Sequence, residues 1–157
     1  MSLQPILNAP FVVILHFFTV VPAFFMGAWM LLASVKGSPV HRTVGKIYLL
    51  LMAVTAVAAC FIRAPANWPH VDVGPSVRLS FIHLFIPLTL FGVYGAIATI
   101  RRRDIAGHRH AMVRMYVGAL LIAGILSFMP GRIMHAVVFG GASWVEQLPA
   151  PPSRVLD

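Results

Sequence analysis

The chain has 157 residues, of which 59% are hydrophobic and only 10% charged, and its mean hydropathy is +0.88. That leaves too little polar surface to cover a soluble globule, so a water-soluble enzyme or binding domain is excluded and an integral membrane protein is implied. The formal net charge of +8 would suit a nucleic-acid partner, but eight of the twelve basic residues sit in two short stretches between apolar runs, which is the pattern of a topology signal and speaks for no nucleic acid.

In chain order, four continuous apolar stretches run from about Pro10 to Ser34, Val44 to Ile62, Leu79 to Ile100 and Met115 to Gly140. Each is close to the roughly 20 residues an α-helix needs to cross a bilayer. Alternating ten-residue segments, which a transmembrane β-barrel requires, are absent from these runs. The first stretch follows MSLQPILNAP, which lacks a basic start and a small-residue cleavage site, so it reads as a retained helix. Lys36, Arg42 and Lys46 separate helices one and two, and Arg101, Arg102, Arg103, Arg109 and Arg114 lie between helices three and four. By the positive-inside rule both basic turns are cytoplasmic, which predicts a multi-pass protein of the bacterial inner membrane with both termini on the periplasmic side. The segment RAPANWPHVDVGPSVR is rich in helix-breaking residues and marks the seam between two hairpins, with Trp68 and Trp144 near the outer interface. Residues 1–145 read as one four-helix domain, and 146–157, with Pro149, Pro151 and Pro152, as a proline-rich outer tail. Cys60, the single cysteine, allows no disulfide within the chain and reads as a small packed hydrophobe.

The two hairpins repeat one signature. His16 precedes His41-Arg42 by 25 residues (41 − 16), His83 precedes His108-Arg109 by 25 (108 − 83), and the copies are offset by 67 (83 − 16). Such self-similarity means one supersecondary unit used twice. Both copies run from outside to inside, so the repeat is parallel, with its pseudo-twofold axis along the membrane normal. The fold class predicted is therefore all-α: an integral membrane four-helix bundle built from two tandem helical hairpins. Counting about 1.5 Å per residue puts His16 about 9 Å and His83 about 7 Å below the outer surface, at one depth. In the fourth helix Gly124, Ser127, Gly131 and His135 form a small-residue stripe that ends in an imidazole and returns to the outer side, with Pro130-Gly131 predicted to kink it.

Intramembrane polar residues usually face the bundle interior and mark function. Two histidines at one depth on facing helices suit axial ligation of a b-type haem, with His16 and His83 as ligands, Arg132 toward a propionate and His135 beside it. Gly27, Gly92, Gly95 and Gly124 would leave room for the macrocycle. The leading functional expectation is thus a small haem b protein associated with membrane electron transfer. The alternative is a cofactor-free accessory subunit of a larger respiratory or photosynthetic complex, in which the histidines are interhelical hydrogen-bond partners. A bare metal site on His16 and His83, completed by His135, His70 or Asp72, or a quinone site, is a weaker third reading. The His-Arg motifs place Arg42 and Arg109, with Arg114, at inward-starting helix ends, where lipid phosphate is the expected anion and His41 and His108 could cap. The methionines show no MxxM pattern and read as packing. Without a GxSxG elbow, a Cys-His pair on one face or an intramembrane carboxylate, the motifs point away from an enzyme.

HRTVGKIY and HRHAMVRMY, each after an apolar helix that starts with a histidine, resemble the bacterial four-helix membrane proteins of the DUF2306 family over about Pro10 to Gly140. The family's second motif reads His-Arg-x-Trp-Met-x-Arg-x-Tyr. Here Ala111 stands at the Trp position, while His108, Arg109, Met112, Arg114 and Tyr116 match, and Arg132 looks like the arginine that such proteins carry in the last helix. The resemblance implies the four-helix membrane fold and brings no activity with it. In architecture alone the chain also resembles b-type dihaem cytochromes and small oxidase-assembly proteins.

Overall fold

A computed structural model describes residues 3–63, 71–72 and 78–140. Trp68, His70, Trp144 and the tail 146–157 lie outside the described residues. A short helix α1 (Gln4–Leu7) precedes α2 (Phe11–Leu32) and α3 (Pro39–Cys60). Two short strands, β1 (Val71–Asp72) and β2 (Arg78–Leu79), pair antiparallel ahead of a 3₁₀ turn over Phe81–Leu84. That turn leads into α4 (Phe85–Arg101), and α5 (Ile105–Met115) continues through a π-helical stretch, Tyr116–Ile122, into α6 (Ala123–Leu126). The last described helix is α7 (Ile133–Phe139). Four helical segments, Phe11–Leu32, Pro39–Cys60, Phe81–Arg101 and Ile105–Leu126, are long and apolar enough to cross a membrane. The architecture is all-α, as the hydropathy predicts, and the protein is a multi-pass membrane protein.

The helix starts are set by caps rather than by the onset of apolar sequence. Ser38 accepts from the backbone N–H of His41 at 3.1 Å, and Pro39 occupies the first turn, where its missing N–H costs nothing, so α3 begins at Pro39 and not near Val44. Asp104 accepts from Gly107 N–H at 2.8 Å, so the fourth span begins at Ile105 rather than Met115 and takes in the whole GHRHAMVRMY motif. Capping therefore belongs to Ser38 and Asp104, and not to His41 or His108. At the end of α2, the Lys36 ammonium donates to the carbonyls of Met30 and Leu31, which satisfies acceptors the helix leaves open. The tight turn between α4 and α5 places Arg103 at φ 60, an uncommon left-handed conformation for a side chain with a Cβ.

Each helix packs against its chain neighbour, α2 on α3, α3 on α4 and α4 on α5, and the π stretch closes the ring against α2 and α4. The core contains Ala23, Met30, Tyr48, Met52, Ala96, Met112, Met115 and Leu120. Large apolar side chains such as Phe18, Phe25, Leu50, Phe91 and Ile125 point outward, as a lipid-facing surface requires. Cys60 is exposed at the end of α3, so it does not pack inside as its small size suggests; its thiol bonds the Ala56 carbonyl.

The second copy of the signature is one residue longer between its His-Arg pair and its tyrosine (116 − 108 = 8, against 48 − 41 = 7). The chain takes up that residue in the π-helical stretch that starts at Tyr116, the usual way a helix absorbs a single insertion. Both tyrosines then converge on Gly27 of α2. A Cβ there would stand 2.6 Å from Tyr116 Cδ2 and 2.9 Å from Tyr48 Cε2, so the crossing of the two rings over α2 requires glycine. Gly27→Ala is expected to lower the unfolding midpoint in mild detergent through about 1–3 kcal/mol of overpacking, whereas Gly124→Ala, whose Cβ meets nothing within 4 Å, leaves it unchanged.

Candidate functional site

The end of the bundle where α2 starts is covered by α1 packed against α7. Beneath them a cavity of about 570 Å³ reaches into the ring of helices, a size that suits a small-molecule ligand. Ile6 of α1 and Ile133 and Met134, at the start of α7, form its cover; Phe24, Met52 and Leu120 close its inner end. His16, His83 and Arg132 all line this one cavity, together with Thr55, Thr89 and Ser127. Arg63 and Arg132 stand beyond the ends of α3 and α6, at the rim.

His16 is tied to the opposite wall. Its Nδ1 donates to the Thr55 carbonyl of α3 at 3.1 Å, and a carbonyl can only accept, so Nδ1 carries the proton and Nε2 keeps a lone pair. Next to it, the Thr55 hydroxyl donates to Thr19 Oγ1 at 2.7 Å, and Thr19 in turn donates to the Leu15 carbonyl at 2.9 Å.

His83 is held differently. The backbone N–H of Ser80 donates to its Nδ1 at 3.0 Å, which fixes the proton on Nε2, and Nε2 donates to the Ile62 carbonyl at 2.8 Å. The Ser80 side chain completes this capping box, and an Arg132 Nη2 reaches Ser80 Oγ at 3.5 Å. Both ring nitrogens of His83 are therefore engaged, leaving none to bind iron or another metal.

Thr55 and Ile62, the acceptors of the two histidines, are seven positions apart, about 10 Å along a helix. The two imidazoles share the cavity but not a level within it, because His83 sits in a 3₁₀ turn ahead of α4 while His16 lies well inside α2. His135 does not join them. Pro130 and Gly131, the latter at φ 84, end the fourth span rather than kink it, so His135 lies on α7 with its ring against Phe139 at 5.1 Å. The four glycines do not open a slot for a macrocycle either. Rings of Tyr48 and Tyr116 fill the space over Gly27, Met115 fills that over Gly92 and Ala111 faces Gly95; only Gly124 borders open space. A bis-histidine haem thus does not fit these residues. Among the described residues no group of three His, Cys, Asp or Glu is placed to hold a metal ion.

At the opposite end, the histidines of the His-Arg pairs fasten helices. His108 Nδ1 donates to the Ala96 carbonyl of α4 at 2.9 Å, and His41 Nδ1 bonds Ser34 Oγ at 2.9 Å while Ser34 donates to the Met30 carbonyl. Arg42, Arg109 and Arg114 are exposed beside them. Sequence reasoning missed Thr55 and Thr89, whose small hydroxyls carry no motif, and Arg63, which reads as a loop charge, and it read Ser127 as a small packing residue only.

Removing one interhelical bond in a membrane protein costs about 0.6–2 kcal/mol. His108→Ala is expected to destabilise by about that amount, and His83→Ala, which loses the Ser80 and Ile62 bonds together, by about twice as much, as measured by thermal unfolding of the purified protein.

No curated protein and no solved structure matches the chain. The family described as "Predicted membrane protein (DUF2306)" matches residues 13–150, a stretch that takes in all four spans, the cavity and both His-Arg motifs, and the chain belongs to that family.

Proposed function

We propose that the protein binds a lipophilic small molecule inside the membrane, in the cavity that His16, His83 and Arg132 line. The observation that carries this reading is the composition of the cavity: an apolar chamber of about 570 Å³ with a few polar groups, the usual make-up of a ligand site. The apolar walls of α2, α4 and the π stretch would hold the body of the ligand, and the histidine and arginine its polar end. With the basic turns cytoplasmic, the cavity opens in the periplasmic half of the inner membrane, within reach of ligands dissolved in the bilayer.

A haem b, with a role in membrane electron transfer, would be met here by His16 alone. What favours that narrower reading is the bond from Nδ1 to the Thr55 carbonyl, the kind of support that orients a ligating histidine and leaves Nε2 for the metal. The engagement of all four signature histidines in hydrogen bonds between elements favours a different reading, a cofactor-free accessory subunit of a larger membrane complex.

Organic extraction and mass spectrometry of protein purified in mild detergent separate these readings. A lipophilic compound is expected to accompany the wild type and to be lost from Gly124→Leu, whose side chain projects into the open space that Gly124 borders. Nothing retained by the wild type, together with stoichiometric co-purification of other subunits, would sink the binding role in favour of the accessory one. A Soret band that survives His83→Ala and vanishes in His16→Ala identifies haem. For orientation, cysteines placed at Lys36 or Arg102 in a Cys60→Ser background are expected to react with an impermeant thiol reagent only once the cytoplasmic face is opened.

A further inference from the structure

The polar groups on the cavity wall are not arranged at random with respect to donors and acceptors. Thr89 Oγ1 donates to the Phe85 carbonyl at 2.6 Å, Ser127 Oγ to the Gly124 carbonyl at 2.6 Å, and Thr55 Oγ1 to Thr19 at 2.7 Å. A hydroxyl has one proton and two lone pairs, so each of these groups turns only lone pairs toward a ligand. His83 has used its N–H on Ile62, and His16 has used its N–H on Thr55. Among the described residues, the side-chain donors facing the cavity are then the guanidinium groups of Arg63 and Arg132 at the rim. The wall accepts and the rim donates.

From this polarity we infer that the ligand is a lipophilic hydroquinone, bound in preference to its oxidised quinone. The inference rests on the binding role proposed above. One ring hydroxyl of a hydroquinone donates to the Nε2 lone pair of His16, the ring's opposite oxygen accepts from the arginine rim, and the apolar tail follows the α2 and α4 walls. A quinone has two carbonyls and no donor, so its inner oxygen would face His16 Nε2 lone pair to lone pair, leaving both groups desolvated and unpaired. An aromatic ring of that size also needs no slot through Gly27, Gly92 and Gly95, which side chains already fill or face. Binding alone is proposed, with no electron transfer to the protein.

The test is equilibrium partition of a short-tailed hydroquinone, kept anaerobic and reduced, and of its quinone into lipid nanodiscs holding the full chain, with empty nanodiscs subtracted. The hydroquinone is expected to bind about tenfold more tightly, the worth of one well-made hydrogen bond. His16→Phe, which keeps an aromatic side chain on the wall and removes Nε2, brings the hydroquinone down to the quinone's affinity. Gly124→Leu, which leaves His16 and the two arginines in place, removes binding of both. Equal or tighter binding of the quinone overturns the inference, as does a Soret band in proportion to protein. Retention of some other extracted compound that Gly124→Leu abolishes, with neither ring compound bound, overturns the hydroquinone while leaving the binding role standing. Failure to retain any compound overturns both.

Discussion

Imidazole N–H groups delivered to backbone carbonyls of neighbouring elements hold this bundle in register. His16 reaches Thr55, His83 reaches Ile62 and His108 reaches Ala96. Lipid tails are as apolar as leucine, so the hydrophobic effect does little to choose one helix arrangement over another, and the choice falls to packing and to such polar ties. A carbonyl already bonded within its helix has a second lone pair, which is what lets a neighbouring histidine dock without breaking the helix. Each tie also fixes a tautomer, and the tautomer decides what the other ring nitrogen can do. In His16 that nitrogen remains available; in His83 it does not. Two residues that look equivalent in the repeat are thereby given different chemistry by their second hydrogen bond.

The same constraint explains the placement of the smaller polar side chains. Threonine and serine inside the spans or at their ends return their hydroxyl protons to nearby carbonyls, as Thr89, Thr99 and Ser127 do, because lipid offers no partner to take them. The polarity of the cavity follows from this housekeeping. Lys36 and Arg132, by contrast, stand beyond the span ends, where Lys36 closes one helix and Arg132 reaches the serine that organises His83.

How much of this was legible in the sequence depended on which physical signal each feature leaves there. Hydropathy runs exposed the four spans, and the doubled His-Arg motif exposed the hairpins, because burial in lipid acts on whole stretches of sequence. Boundaries followed a different rule: Ser38 and Asp104 start their helices several residues before the apolar text does. Counting residues along straight helices also misjudged depth, since His83 rides on a 3₁₀ turn and His135 lies past the break at Gly131. His16, His83 and Arg132 do meet around one cavity, yet no spacing could disclose that Ser80 occupies the nitrogen a bis-histidine site would need. Nor could glycine count distinguish empty space from space that a tyrosine ring from another helix fills.

The extra residue at the π-helical stretch has a consequence for the symmetry of the whole molecule. In an undistorted α-helix one added residue would rotate everything after it by about 100° around the axis; the wide turns over Tyr116–Ile122 take it up, so the residues that follow keep their face. Leu120, within that stretch, and Ala123, Gly124 and Ser127, after it, all line the cavity. The counterpart of that stretch in the first hairpin, α3, is regular throughout, so two copies alike in motif present differently spaced backbones to the cavity.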